Sequence, residues 1–242
     1  MSAFPFRLIG EPRRGGIVAV CDHASNHIPP DIDLGLPPGA HGKHIAWDIG
    51  TAGVVERLAL RHEIPGFLAE ISRLVIDLHR EETSPGLIPS QSDGIFIPGN
   101  SGADREARLD RFHRPYHKAL AAWLEAAEPS LILSIHSFTP SLESAPAARP
   151  WDVGLLFNQD DRAARHAMRA FDRLGYTVGE NEPYSGKDLN ATMNRHAEAF
   201  GRPYCAIEIR NDLIAHETGQ ARWAEVIAMV AGQVRLALDA GS

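Results

Sequence analysis

Short apolar runs that stop on polar residues, separated by longer amphipathic stretches, constrain this chain more than any other feature. The runs are GIVAVCD (16–22), GFLAEIS (66–72), RLVIDLH (73–79), LILSIHS (131–137), DVGLLFN (152–158) and YCAIEIR (204–210). The amphipathic stretches are residues 48–63, 103–127, 161–175, 189–201 and 219–240. Strands alternating with helices build a mostly parallel sheet, so the expected class is α/β. The third and fourth helices run into Gly175 and Gly201, a common stop signal. Pro115 should interrupt the second helix or mark its restart.

With 242 residues, 44% hydrophobic and 23% charged, the chain is long enough to bury one large core, and a single domain over 1–242 is expected. A net charge of −7 argues against a nucleic-acid partner, because phosphate binding needs clustered Lys and Arg. Cys21 and Cys205, the two cysteines, sit in separate apolar runs and read as reduced core thiols of a cytoplasmic protein. No apolar segment reaches the length of a membrane span, and the opening residues lack the apolar region of a secretion signal. Two irregular loops, 79–102 and 137–151, are long for a compact fold, and such loops commonly serve function. Oligomeric state is not legible.

In an open α/β sheet the ligand site lies beyond the carboxyl ends of the strands. Three runs place polar residues there: Asp22, His23, Ser25, Asn26 and His27 after the first, His136 and Ser137 at the end of the fourth, and Glu208, Arg210 and Asn211 on the last. Histidines from two strand ends suggest a metal, and a working zinc ion needs a third ligand and an open position. Asp48, where a helix should start, is the candidate; the alternative is that it caps that helix. His23 and His136 have plainer readings too, as a loop residue and a strand-end histidine.

Glu208 interrupts an otherwise apolar strand, and an ionised carboxylate there is costly unless paired or set beside a cation. Arg210 or Arg73 would be a structural partner. The functional alternative is a general base close to a metal without ligating it.

Taken in order, CDHASNHIPP, HIAWDIGTAGVVERLA, SRLVIDLHR, LSIHSF and AIEIRNDL resemble the N-formylglutamate amidohydrolase family over most of the chain. The resemblance implies a three-layer αβα architecture with a central, mostly parallel mixed sheet, like the zinc exopeptidases (phosphorylase/hydrolase-like). It implies one Zn2+ held by His23, Asp48 and His136, with Glu208 as the catalytic carboxylate, and an N-acyl amino acid such as N-formylglutamate as substrate. By the same comparison Arg73, Asp77 and Arg80 line the pocket, and an arginine can grip a substrate carboxylate through paired hydrogen bonds. Arg210, Asn26, Ser137 and His196 complete the expected substrate contacts, with Arg195 beside them. His79 stands where the family usually has Asn, a departure that bears on the substrate.

Competing readings are a serine hydrolase using Ser25 or Ser137, disfavoured because neither lies in a G-x-S-x-G turn, an amidase or carboxypeptidase acting on peptide or cell-wall fragments, and a noncatalytic binding domain. His62, His113, His117, His166 and His216 fall on expected helices or near their ends, with structural or surface roles by default.

Overall fold

A computed structural model describes residues 4–240. Its centre is a seven-stranded sheet made of β1 (Phe6–Ile9), β2 (Ile17–Cys21), β3 (Gly66–Ala69), β6 (Leu131–Phe138), β7 (Val153–Leu156), β8 (Val178–Glu180) and β9 (Tyr204–Arg210), in the order β1-β3-β2-β6-β9-β7-β8. The four strands β3, β2, β6 and β9 are mutually parallel. β1 runs antiparallel on β3, β7 runs antiparallel on β9, and β8 is parallel to β7. The expected mostly parallel, mixed α/β sheet is what forms.

Strand residues alternate between faces, and here that alternation decides where chemistry can sit. Odd positions of the central strands (Ala19, Cys21, Leu131, Leu133, Ile135, Cys205, Ile207, Ile209) enter a core covered by α1 (Thr51–His62), α4 (Arg162–Arg173) and α6 (Glu217–Ala240). Even positions (Val18, Val20, Ile132, Tyr204, Ala206) enter a second core with Leu109, Phe112, Tyr116, Leu120 and Leu124. Those residues come from a kinked segment: α2 (Arg105–Arg108), a wide π turn (Leu109–His113) and α3 (Arg114–Ala127). Pro115 lies in the first turn of α3, where its missing N–H needs no helical partner, and the wide turn before it absorbs the register change. The smaller helix α5 (Ala191–His196) closes this side. Continuing the same parity, Asp22, His136 and Glu208 all belong to the second face, and the register sets His136 opposite Glu208.

The expected strand over 73–79 does not exist. Leu74, Val75, Ile76 and Leu78 are fully buried, which is what the apolar run recorded, but their backbone folds as successive turns. Side chains take the bonds a sheet would have made: Ser72 Oγ accepts from the Leu74 N–H, Asp77 Oδ1 accepts from the His79 N–H, Asn100 Nδ2 donates to the Leu74 carbonyl and Arg108 to that of Val75. Strands β1 and β8 carried no clear sequence signal, since both are short and lie at the sheet edges. The 79–102 loop contains a small hairpin, β4 (Gln91–Ser92) and β5 (Ile95–Phe96). Among the described residues no helix is long and apolar enough to cross a membrane.

Candidate functional site

β2 ends at Cys21, and the next two residues project from the carboxyl end of the sheet. Asp48 reaches the same place from the segment before α1. Its backbone N–H donates to the His23 carbonyl, and its own carbonyl accepts from Thr51 Oγ. Asp48 is not the cap of α1. Gly50 holds that position at φ 87°, and a side chain there would run into the Ile214 carbonyl. The Asp48 carboxylate is thereby free to turn inward.

Three groups converge on it. Asp48 Oδ2 lies 2.9 Å from His136 Nδ1 and 3.4 Å from His23 Nδ1, and it accepts from the Ser137 N–H at 3.2 Å. The His23 and His136 rings are 5.1 Å apart, edge to face. His23 Nε2 donates to Asp77 Oδ1 at 2.7 Å, which leaves Nδ1 as the lone-pair nitrogen, buried and without a hydrogen-bond partner. A lone pair facing a carboxylate oxygen across 3.4 Å is repulsive unless a positive charge lies between them. The donor set, two imidazole nitrogens and one carboxylate oxygen within 4.8 Å of one another, suits a divalent ion of the zinc type. With protons as the only cations, both rings are driven to hold charge. Burial and Arg73 act against this for His23, but Asp77 and Asp48 carry its pKa upward; at His136 burial is outweighed by Asp22 and Asp48. Asp48 is correspondingly held far below the ordinary carboxylate range despite its burial.

Further acids and donors hold these groups from behind. Asp22 accepts from the Tyr116 hydroxyl at 2.7 Å and from His79 Nδ1 at 2.9 Å, and lies 3.6 Å from His136 Nε2. Asp22, His79 and His136 also form a cluster of metal-ligand geometry, but the Asp22 oxygens are already engaged by these donors. Arg73 bridges Asp48 (3.3 Å) and Asp77 (2.8 Å). Both of its terminal nitrogens are thus spoken for, and it acts as a clamp on the two acids. Arg80 is 3.8 Å from Asp77 and borders the open cavity, offering the freer guanidinium.

That cavity, of about 270 Å³, is bordered by His23, Asp48, His136, Glu208, Arg73, Arg80, His79 and Ser137. Glu208 Oε2 is buried with no hydrogen-bond partner. Burial and the Asp48 charge push its carboxyl up to about 7, against the pull of His136 and Arg73.

Four of the expected substrate contacts need correction or restatement. Arg210 is captured by Asp212 (2.8 Å) and Asp152 (3.5 Å) and is absent from the cavity wall, so it neither meets a ligand there nor neutralises Glu208. Asn26 donates to the His41 carbonyl, away from the cavity. His196 is buried against His117, to which its Nε2 donates at 2.9 Å. Ser137 does border the cavity, but its hydroxyl donates to the Ile49 carbonyl. Ser25 accepts from the His27 backbone N–H, so neither serine hydroxyl is bonded to a histidine ring as a nucleophile would be. Sequence reasoning missed Tyr184, His44 and Asp93 on the cavity wall, because all three come from irregular segments with no periodicity to mark them.

A family model described as N-formylglutamate amidohydrolase matches residues 15–215. The crystal structure of a gene product from Agrobacterium tumefaciens is similar at 31% identity and TM-score 0.91, covering 98% of this chain and 96% of that one. An N-formylglutamate amidohydrolase from Ralstonia eutropha JMP134 shares the fold at 20% identity and TM-score 0.72, with 98% and 99% covered. No protein of curated function matches. By the reach of the family model, which spans most of its length, the chain belongs to the N-formylglutamate amidohydrolase family, hydrolases that act on amide bonds.

Proposed function

We propose that the protein is a zinc-dependent amidohydrolase that removes the acyl group, formyl in the simplest case, from an N-acyl amino acid such as N-formylglutamate. The observation that carries this reading is the buried, unpartnered His23 Nδ1 facing the Asp48 oxygen that also meets His136 Nδ1. His23, Asp48 and His136 would hold one Zn2+, which when bound supplies Lewis acidity toward a carbonyl oxygen and acidifies a water.

The remaining work falls to side chains of this chain. Glu208, raised to about 7, is matched to take a proton from water near neutral pH and return it to the departing nitrogen. Tyr184 accepts from Arg149 at 3.1 Å and is kept protonated by burial and by Glu208, so its own O–H remains a donor on the cavity wall. Arg80 provides the cation for a substrate carboxylate, and Arg73 holds Asp48 and Asp77 in place. Asp77 fixes the tautomer of His23. The buried free thiols of Cys21 and Cys205 support a cytoplasmic location as part of the same proposal.

Elemental analysis of the purified protein, followed by a panel of N-acyl amino acids including N-formylglutamate, tests this. Stoichiometric zinc, with turnover abolished by a chelator and restored by zinc, is expected. Full turnover in metal-free protein would eliminate the reading.

A further inference from the structure

One wall of the cavity is assembled from two segments far apart in sequence. The β4–β5 hairpin turns on Asp93 (φ 41°) and Gly94 (φ 78°), the pair a two-residue hairpin turn with left-handed residues prefers. Turn chemistry therefore puts Asp93 at the hairpin tip, where an aspartate would ordinarily be solvated. Instead its side chain is only 4% exposed. Its Oδ2 accepts from the Glu143 N–H at 2.9 Å, and its Oδ1 accepts from the Ser144 N–H at 2.8 Å and the Ser144 hydroxyl at 2.5 Å. His44 Nε2 lies 3.1 Å from the same carboxylate, and Lys43 pairs with Glu143 at 2.8 Å.

These bonds pin the middle of the loop that joins β6 to β7. The base of that loop is held separately: the Arg149 N–H donates to the Pro140 carbonyl and the Arg149 side chain to the Thr139 carbonyl. Apart from the Thr139 hydroxyl, which donates to the Ser141 carbonyl at the base of the loop, the hydrogen bonds and ion pairs that tie 141–148 to the rest of the chain among the described residues run to Asp93 and Lys43. His44, Ser92 and Asp93 from one side and Leu142 and Ser144 from the other all border the cavity. The enclosed volume, about 270 Å³, sits just below the roughly 300–1,000 Å³ typical of small-molecule pockets.

We infer that Asp93 is a specificity-determining latch: by fastening the 141–148 loop across the cavity it limits the substrate to a single N-acylated amino acid and excludes chains extended by a further residue. This rests on the amidohydrolase reading above and narrows its substrate class. The carboxylate is well suited to the task. Burial opposes its ionisation, yet the Ser144 and Glu143 donors hold it at about 2, so the latch stays charged and closed at any working pH. A neutral side chain of the same length could not satisfy three donors with two charged oxygens.

The test uses the zinc-loaded protein and compares kcat/KM for an N-formyl amino acid with that for the N-formyl dipeptide carrying the same first residue. Wild type is expected to favour the single amino acid. Asp93→Ala should shift the ratio toward the dipeptide by about tenfold or more, the scale on which a pocket discriminates by size. Cleavage after Glu143 by a glutamate-specific protease, which needs no turnover, should accelerate in the same variant. Ser144→Ala removes one of the three bonds and should shift both readouts less but in the same direction, which covers the case of Asp93→Ala failing to fold. Faster cleavage with an unmoved ratio, or a wild type that hydrolyses both compounds equally, overturns the latch and leaves the amidohydrolase intact. Absence of turnover on every N-acyl compound overturns both.

Discussion

Glu208 shows what one side chain has to endure to be useful. It is held in a fully buried strand position, where its carboxyl is pushed up to about 7 by burial and the nearby Asp48. The same shift that suits it to proton transfer works against stability. With the folded pKa above the unfolded value of about 4.3, its contribution is complete below that value and is lost as pH rises through about 7. Replacing Glu208 with Gln is therefore expected to lower kcat by about 10²–10⁴ while leaving zinc content unchanged, and to raise the melting temperature of the metal-free protein above pH 7, with a gain that shrinks steadily as pH falls toward 4. Loss of zinc or unaltered turnover would remove Glu208 from the role proposed for it. Asp77 makes a complementary case, since it touches His23 rather than the substrate. Asp77→Asn should weaken zinc about 10–100-fold, as loss of an outer-sphere partner does, read by competition with a chelating dye. At this scale the sequence was legible where parity applied: His136 and Glu208 end apolar strands and share one face. It misled where acids from other elements intervened. Arg210 stands two residues from Glu208 on the same strand, and nothing local shows that Asp152 and Asp212 will claim it.

Among the elements, the stretch over 73–79 departs most from expectation, and the reason lies beneath it. His117 Nε2 donates to the Leu78 carbonyl and His113 Nε2 to the Arg80 carbonyl, each at 2.9 Å, so these buried histidines satisfy backbone on both sides of His79. His196 completes the chain by donating to His117. An apolar run was visible in sequence; the histidines that make its turns affordable to bury lie on helices about 35 to over 100 positions away, beyond the reach of any periodicity. Because burial and Arg195 lower His196 to about 4, against about 6.5 unfolded, its stabilisation is full above pH 6.5 and lost as pH falls toward 4. The difference in urea midpoint between wild type and His196→Gln should therefore shrink over that window. A constant difference would mean that the ring titrates normally.

Viewed as a whole molecule, the fold divides labour between its two faces. Odd positions of β2, β6 and β9 feed an apolar core under α1, α4 and α6, while their even positions lead to the acids and histidines of the cavity. The α/β class was readable because alternation of runs and amphipathic stretches is a property of the entire chain. The antiparallel edges and the hairpin were not, since they depend on pairing rather than on local pattern. One further consequence follows from the position of the His136–Glu208 pair, cross-strand neighbours on β6 and β9 near the middle of the sheet. Amides of these two strands should exchange with deuterium only through global opening, while those of Glu143 and Ser144 exchange through local opening, many times faster. The reacting groups would then survive every partial fluctuation of the molecule, and only the doorway in front of them would breathe.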